Sequence, residues 1–232
     1  MARSRGSSPV LVIFAVSVAL SLTWQSSVAI RNGVSDVYAR PAIDYLESKS
    51  VAEFRISDAE WRAVHDSVAR ASQLMPGNPE YLDSLGWMEQ IKLGFLSDDL
   101  SIDQIEAHAI AAEDYYLGAI AVRPTWPYYW GSLALEMHRR GSYDTAEYSL
   151  ALANAARFGP WKNDTQRLVA DLGIGTFAFL STPAKQAVLT NLERGFVRQP
   201  DAMLQFVTDW QELCREVSLT GPTLPVLSAY CE

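Results

Sequence analysis

Two stretches decide how this chain folds: residues 64–79, VHDSVARASQLMPGNP, and residues 112–127, AEDYYLGAIAVRPTWP. Each sets apolar residues on one helical face, a small residue after a bulky one, and then a proline, as Val64-x3-Val68-x2-Ala71-x4-Pro76 and Ala112-x3-Tyr116-x2-Ala119-x4-Pro124. Ala71 and Ala119 are small enough to let a second helix come close, while Val68 and Tyr116 fill the space beside them. Pro76 and Pro124 end the helix, because proline lacks an N–H and clashes with the preceding turn. A new helix starts at once. Asn78-Pro79 offers a capping side chain and a preset φ at the first helical position, and Trp126-Pro127 repeats that preset φ.

The next unit runs from Pro127 to about Pro160, with Trp130-x2-Leu133-Ala134-x2-Met137, a turn at Gly141-x-Tyr143, and Ala146-x3-Leu150-x2-Ala153. In this register Leu150 supplies the bulk and Ala153 the close approach. The pattern resembles the tetratricopeptide (TPR) repeat, W-x2-L-G-x2-Y followed by a second helix, with Ala134 for the glycine and Met137 for the tyrosine. An earlier unit opens with Leu82-x2-Leu85-Gly86 and carries extra residues, Leu93 to Asp103, which stretch its period to the 48 residues from Pro76 to Pro124. Ser57-x-x-Glu60 and Ser101-x-x-Gln104 read as capping boxes. The resemblance implies an all-α solenoid of antiparallel helix pairs that binds partners and is not an enzyme. Trp130, Tyr116, Leu133 and the alanines read as core.

The N-terminal thirty residues differ from all of this: Arg3 and Arg5 precede an apolar run from Val10 to Leu22, and no charge occurs from Gly6 through Ile30. This is an export or insertion signal. Ser27-Val28-Ala29 is an acceptable cleavage site. The 25 uncharged residues, at ~1.5 Å each, also exceed the ~30 Å of a hydrocarbon core. The expected organisation is a signal peptide or signal anchor over 1–30, a linker with a short helix over 31–56, repeats over 57–160 and a non-repeat helical cap over 161–232. The positive end stays cytoplasmic, and the repeats face outward.

At 232 residues and 49% hydrophobic content, the chain can bury one sizeable core. Its net charge is −8, and removal of residues 1–29 takes away two arginines and no acid, leaving −10. Such a balance argues against nucleic acid and anionic headgroups as partners. The only cysteines, Cys214 and Cys231, are an even pair in a chain bound for export, and Thr220-Gly221-Pro222 with Pro225 can fold the tail back, so a disulfide is expected. Beyond Pro160 the repeat spacing fades from view while helical periodicity persists. Ser181-Thr182-Pro183 starts a helix, Gln199-Pro200 stops it, and Asp201 caps a final helix whose stripe is Leu204, Val207, Trp210 and Leu213.

A narrower resemblance is carried by Arg123-Pro124-Thr125-Trp126-Pro127-Tyr128-Tyr129-Trp130, by Ala155-x2-Phe158-Gly159-Pro160-Trp161, and by Val169-Ala170-Asp171-Leu172-Gly173. Over residues 105–215 the chain is similar to the VpsP-type accessory proteins of bacterial exopolysaccharide and O-antigen clusters. That similarity implies a membrane-anchored helical repeat protein of the bacterial inner membrane facing the periplasm, or a cleaved, soluble periplasmic form. Its implied partners are polysaccharide-assembly proteins, with the polysaccharide itself a further candidate.

No catalytic motif is present. His65, His108 and His138 lie on separate helices with no cysteine or carboxylate at ligand spacing, and there is no phosphate-cradling glycine loop, so neither a metal nor a cofactor is expected. A TPR-like groove is lined by the first helix of each pair. One stripe is Asp83, Trp87 and Gln90; the corresponding candidates on the next are Tyr128, Leu135, His138 and Arg139. Gly131 and Leu135 occupy positions where the family's carboxylate clamp needs lysine and asparagine, which argues against that binding mode. Trp87 and Tyr128 are candidates for stacking on sugar rings. The competing class is a periplasmic glycan-binding or glycan-modifying enzyme.

Overall fold

A computed structural model describes residues 9–48, 56–207, 210–220 and 224–232, and these residues form eleven α-helices and no strand. Arg3 and Arg5 of the export signal, and Gly221 and Pro222 of the tail, lie outside the described residues. The chain divides into two compact units, residues 1–54 with 62–77, and residues 55–61 with 78–232.

In the first unit, α1 (Pro9–Glu47) carries the apolar run, and its most apolar window is entirely unburied while long and hydrophobic enough to cross a membrane. The helix does not stop at residue 30, where a linker with a short helix was expected. It continues to Glu47, because its second half sets Ser35, Ala39, Ala42 and Leu46 on one buried face at helical spacing. In α2 (Asp58–Leu74), the capping box closes, the Ser57 N–H donating to Glu60 Oε2 at 2.8 Å and the Glu60 N–H to Ser57 Oγ at 3.2 Å. Val64, Val68 and Ala71 are buried as their spacing predicts.

The second unit holds α3 (Pro79–Phe95), α4 (Ile102–Val122), α5 (Pro127–Arg139), α6 (Ala146–Phe158), α7 (Asn163–Gly175) and α8 (Thr182–Arg198). Each packs on the next; α5 also meets α7, and α6 meets α8. The starts follow local chemistry. Asn78 Oδ1 accepts from the Glu80 N–H, Ser101 and Gln104 close a full capping box, and Gly141 takes a left-handed φ of 74° that a side chain would resist.

Packing corrects the register of the α6 unit. Leu150 is 56% exposed and Ala153 only partly buried, whereas Tyr148, Leu152 and Ala155 are completely buried. The working pattern is therefore Tyr148-x3-Leu152-x2-Ala155-x4-Pro160, which matches the spacing of the two earlier units. The spacing also returns beyond Pro160, as Val188-x3-Leu192-x2-Gly195-x4-Pro200 on α8, with Val188, Leu192 and Gly195 all buried. The small residues sit where their neighbours leave no room. A Cβ on Gly86 would meet the Tyr116 ring at 2.7 Å, and one on Gly173 would meet Val188 Cγ2 at 2.5 Å.

The expected single final helix is also corrected. It is broken into α9 (Pro200–Leu204) and α10 (Trp210–Thr220), followed by α11 (Pro225–Tyr230). Met203, not Leu204, turns inward, with its thioether beside Gly195, and Gln199 instead of Asp201 precedes the helix. The Glu193 carboxylate on α8 accepts from the N–H groups of Val226 and Leu227 at 2.8 Å each, fixing the start of α11. Cys214 and Cys231 are joined, their Cα atoms 5.5 Å apart.

Candidate functional site

The extra residues between Leu93 and Asp103 do not form a long loop. They lengthen α3 to 17 residues and α4 to 21, against 13 in α5, with one short 3-10 turn at Ser97–Asp99 between them. Leu93, Gly94, Ile105 and Ala109, from the lengthened helices, and Glu136, Arg139 and Arg140, from the end of α5, together line a cavity of about 440 Å³.

One side of this cavity is apolar and the other charged. Glu136 is 1% exposed, and neither of its carboxylate oxygens has a hydrogen-bond partner among the described residues. Burial pushes its carboxyl pKa up, against the opposing pull of the Gln90 amide and the Arg139 guanidinium. Gln90 is buried beside it, and its Nε2 makes no hydrogen bond of ordinary geometry. Arg140 donates to the Glu113 carboxylate at 2.7 Å, whereas Arg139 is exposed.

Asp83 belongs to the same electrostatic neighbourhood. Burial, reinforced by the nearby Glu80, pushes its carboxyl up to about 7. The Tyr116 hydroxyl is pushed well up by burial and by Asp83 and Glu136, and drawn back by Arg139 and Ser132. Burial and Asp83 likewise push Tyr129 up to about 12. Three of the residues named from sequence, Asp83, Gln90 and Arg139, thus lie in one electrostatic neighbourhood across α3, α4 and α5, of which Arg139 lines the cavity.

The other four do not join them. Trp87 is partly buried on α3 away from the cavity lining; Tyr128 leans on Trp126, ring centres 5.8 Å apart; and Leu135 packs against the core. His138 sits against Tyr143 and Tyr148, ring centres 5.9 and 6.3 Å away, because its position on α5 turns it toward α6. Sequence reading missed Glu136, and a signal existed. Counted from the preceding proline, Glu136 stands twelve places after Pro124, where Met88 follows Pro76 and Leu172 follows Pro160. A carboxylate at an otherwise apolar core position marks a polar site.

A second cluster lies within the second unit, where residues 58–61, the first turn of α2, meet α3 and α4. The Trp61 Nε1–H donates to the Met88 carbonyl at 2.6 Å, Lys92 lies over the Trp61 ring and pairs with Asp58, and His108, edge-on to Trp61, pairs with Glu89. The fold thus brings His108 a carboxylate that linear spacing hid. Among the described residues no three histidines, cysteines or carboxylates gather to hold a metal.

The arrangement defines an all-helical protein with a small amphipathic pocket: it can take an apolar group against Leu93, Ile105 and Ala109 and a polar group against Glu136 and Arg139. No protein-family model matches the chain, and no curated protein matches it.

Proposed function

We propose that the chain is a non-enzymatic, membrane-tethered TPR-like adaptor that supports cell-envelope exopolysaccharide or O-antigen biosynthesis through protein–protein contacts. Support for the repeat comes from the proline-anchored spacing on α4, α6 and α8, each with its small residue buried. The tether is α1, and the polysaccharide setting rests on the resemblance carried by residues 123–130, 155–161 and 169–173. In this reading the repeats face the periplasm from the inner membrane.

The observation that carries a binding role is the pocket itself: lengthened helices build it, and its lining includes the buried Glu136 carboxyl, whose oxygens make no hydrogen bond among the described residues. A partner segment would place an apolar side chain against Ile105 and a polar group at Arg139. The test is complementation of a deletion strain by the full chain bearing Ile105→Asp or Arg139→Glu. Both variants should accumulate to the parent level yet leave polymer output at that of the deletion. Normal output from both would remove the pocket from the function. Time-dependent shortening of the cell's polysaccharide by the purified chain, abolished by Asp83→Asn, would establish the enzyme class instead.

A further inference from the structure

Charge is segregated along this chain. Residues 155–200 hold six cations against three acids, a net +3, in a protein whose net charge is −8. One of those acids is already engaged, since Glu193 caps α11. Two of the cations lie against Trp161, which follows α6 and is 60% exposed. Arg194 and Arg198, one turn apart on α8, place their guanidinium carbons 5.7 and 5.9 Å from its ring centre. Arg167 is held by the Gln199 amide at 2.9 Å. Among the described residues none of Arg157, Arg167, Arg194 and Arg198 pairs with a carboxylate.

Arg194 also belongs to a neighbouring trough of about 270 Å³, open between α6 and α8. Its floor is small and apolar, from Ala156, Pro183 and Ala187, and its rim carries the Gln186 amide and the Thr190 hydroxyl. We propose that this trough, together with Trp161 and the arginines around it, binds an anionic polysaccharide, one whose sugar rings bear carboxylates. The chemistry of each part selects that class. Guanidinium forks match planar carboxylates with two hydrogen bonds, which lysine cannot do. The Thr190 hydroxyl donates to the Gln186 backbone carbonyl at 2.8 Å, which leaves the Gln186 side-chain oxygen to accept from ring hydroxyls, and the exposed indole offers an apolar platform to a sugar face. A single-stranded nucleic acid needs successive aromatic platforms, and the trough has one exposed tryptophan beside it.

The proposal concerns a face separate from the α3–α5 pocket, and rests on the polysaccharide reading above only for where such a polymer is met. The full chain in neutral detergent micelles is titrated with polygalacturonate, with uncharged dextran, and with a single-stranded oligonucleotide of matched charge, at low and moderate salt. Polygalacturonate should bind with an affinity that falls as salt rises, dextran should not bind, and the oligonucleotide should bind at least about tenfold more weakly. Arg194→Glu with Arg198→Glu should cost at least about tenfold in uronate affinity. Arg194→Lys with Arg198→Lys keeps the charge, loses the fork and should cost less. Trp161→Ala should weaken binding severalfold with helix content unchanged, and it carries the test should the charge reversals fail to fold. Absence of uronate binding, binding indifferent to these substitutions, or an oligonucleotide that binds as tightly would overturn the proposal. Polymer output unaffected by deleting the gene, with uronate binding intact, would fell the adaptor reading and leave this site standing.

Discussion

Gly86 and Gly195 both sit at crowded positions but differ in what crowds them, and that difference sets the cost of adding one methyl group. A Cβ at Gly86 would meet the ring of Tyr116, which is 1% exposed and cannot withdraw, at 2.7 Å. At Gly195 it would meet Met203 Sδ at 2.5 Å and Cγ at 2.8 Å, on a completely buried but unbranched side chain. Alanine gains roughly 1 kcal/mol over glycine in helix propensity at both sites. Gly86→Ala should therefore lose a net ~1–3 kcal/mol through overpacking, while Gly195→Ala should lose less, because unbranched Met203 can adjust where the Tyr116 ring cannot, as compared by thermal unfolding. Asp83 yields a pH-dependent prediction. Its carboxyl is raised from 3.8 to about 7, so the folded state binds more protons than the unfolded chain between those values. Stability from this group is fully present below about pH 4 and is lost as pH rises through about 7. Asp83→Asn should accordingly stabilise the protein at pH 8, by about 1–2 kcal/mol after solvent screening, and make little difference at pH 4. Equal effects at both pH values would show that the carboxyl ionises freely.

Among the elements, α6 shows what a sequence pattern leaves open. Alanines stand at 146, 151, 153, 155 and 156, so several registers fit a small-residue rule. The earlier proline spacing, repeated as Ala155-x4-Pro160, points to Ala155, and the packing of α6 against α5, α7 and α8 agrees, since Ala155 is completely buried and Ala153 only partly. Ala155→Trp should therefore lower stability by ~1–3 kcal/mol or more, whereas Ala153→Trp should be tolerated far better. If the Ala153 variant melts lower than the Ala155 variant, the register is wrong. The inserted stretch at 93–103 is a comparable case: Ser101-x-x-Gln104 marks where α4 begins, but nothing in the linear chain says that the preceding residues extend α3 and roof a cavity. Half of the candidate site was legible for the same reason. Asp83 and Gln90 lie on one stripe of one helix, while the partners that join them, Glu136 and Tyr116, come from α5 and α4.

At the scale of the whole molecule, the C-terminal tail is held by two independent devices: the Glu193 cap on α11, and the bond between Cys214 and Cys231, seventeen residues apart. Closing a loop of that size stabilises by roughly 3 kcal/mol. Alkylation of the denatured, unreduced chain should leave both cysteines unlabelled, and reduction should lower the unfolding midpoint without releasing α3 to α6; labelling of both before reduction would contradict the bond. The sequence by itself determined the helical class, the capping boxes at Ser57 and Ser101, the breaks at Pro76 and Pro124, and the apolar N-terminal segment, because each depends on residues within a turn or two of one another. Tertiary structure alone decided which faces of α6 and α8 are buried, the break between α9 and α10, the pairing of His108 with Glu89, and the approach of Arg194 and Arg198 to Trp161. Those features arise where side chains from separate helices meet, and which helix face meets which neighbour is set by the crossing of whole helices.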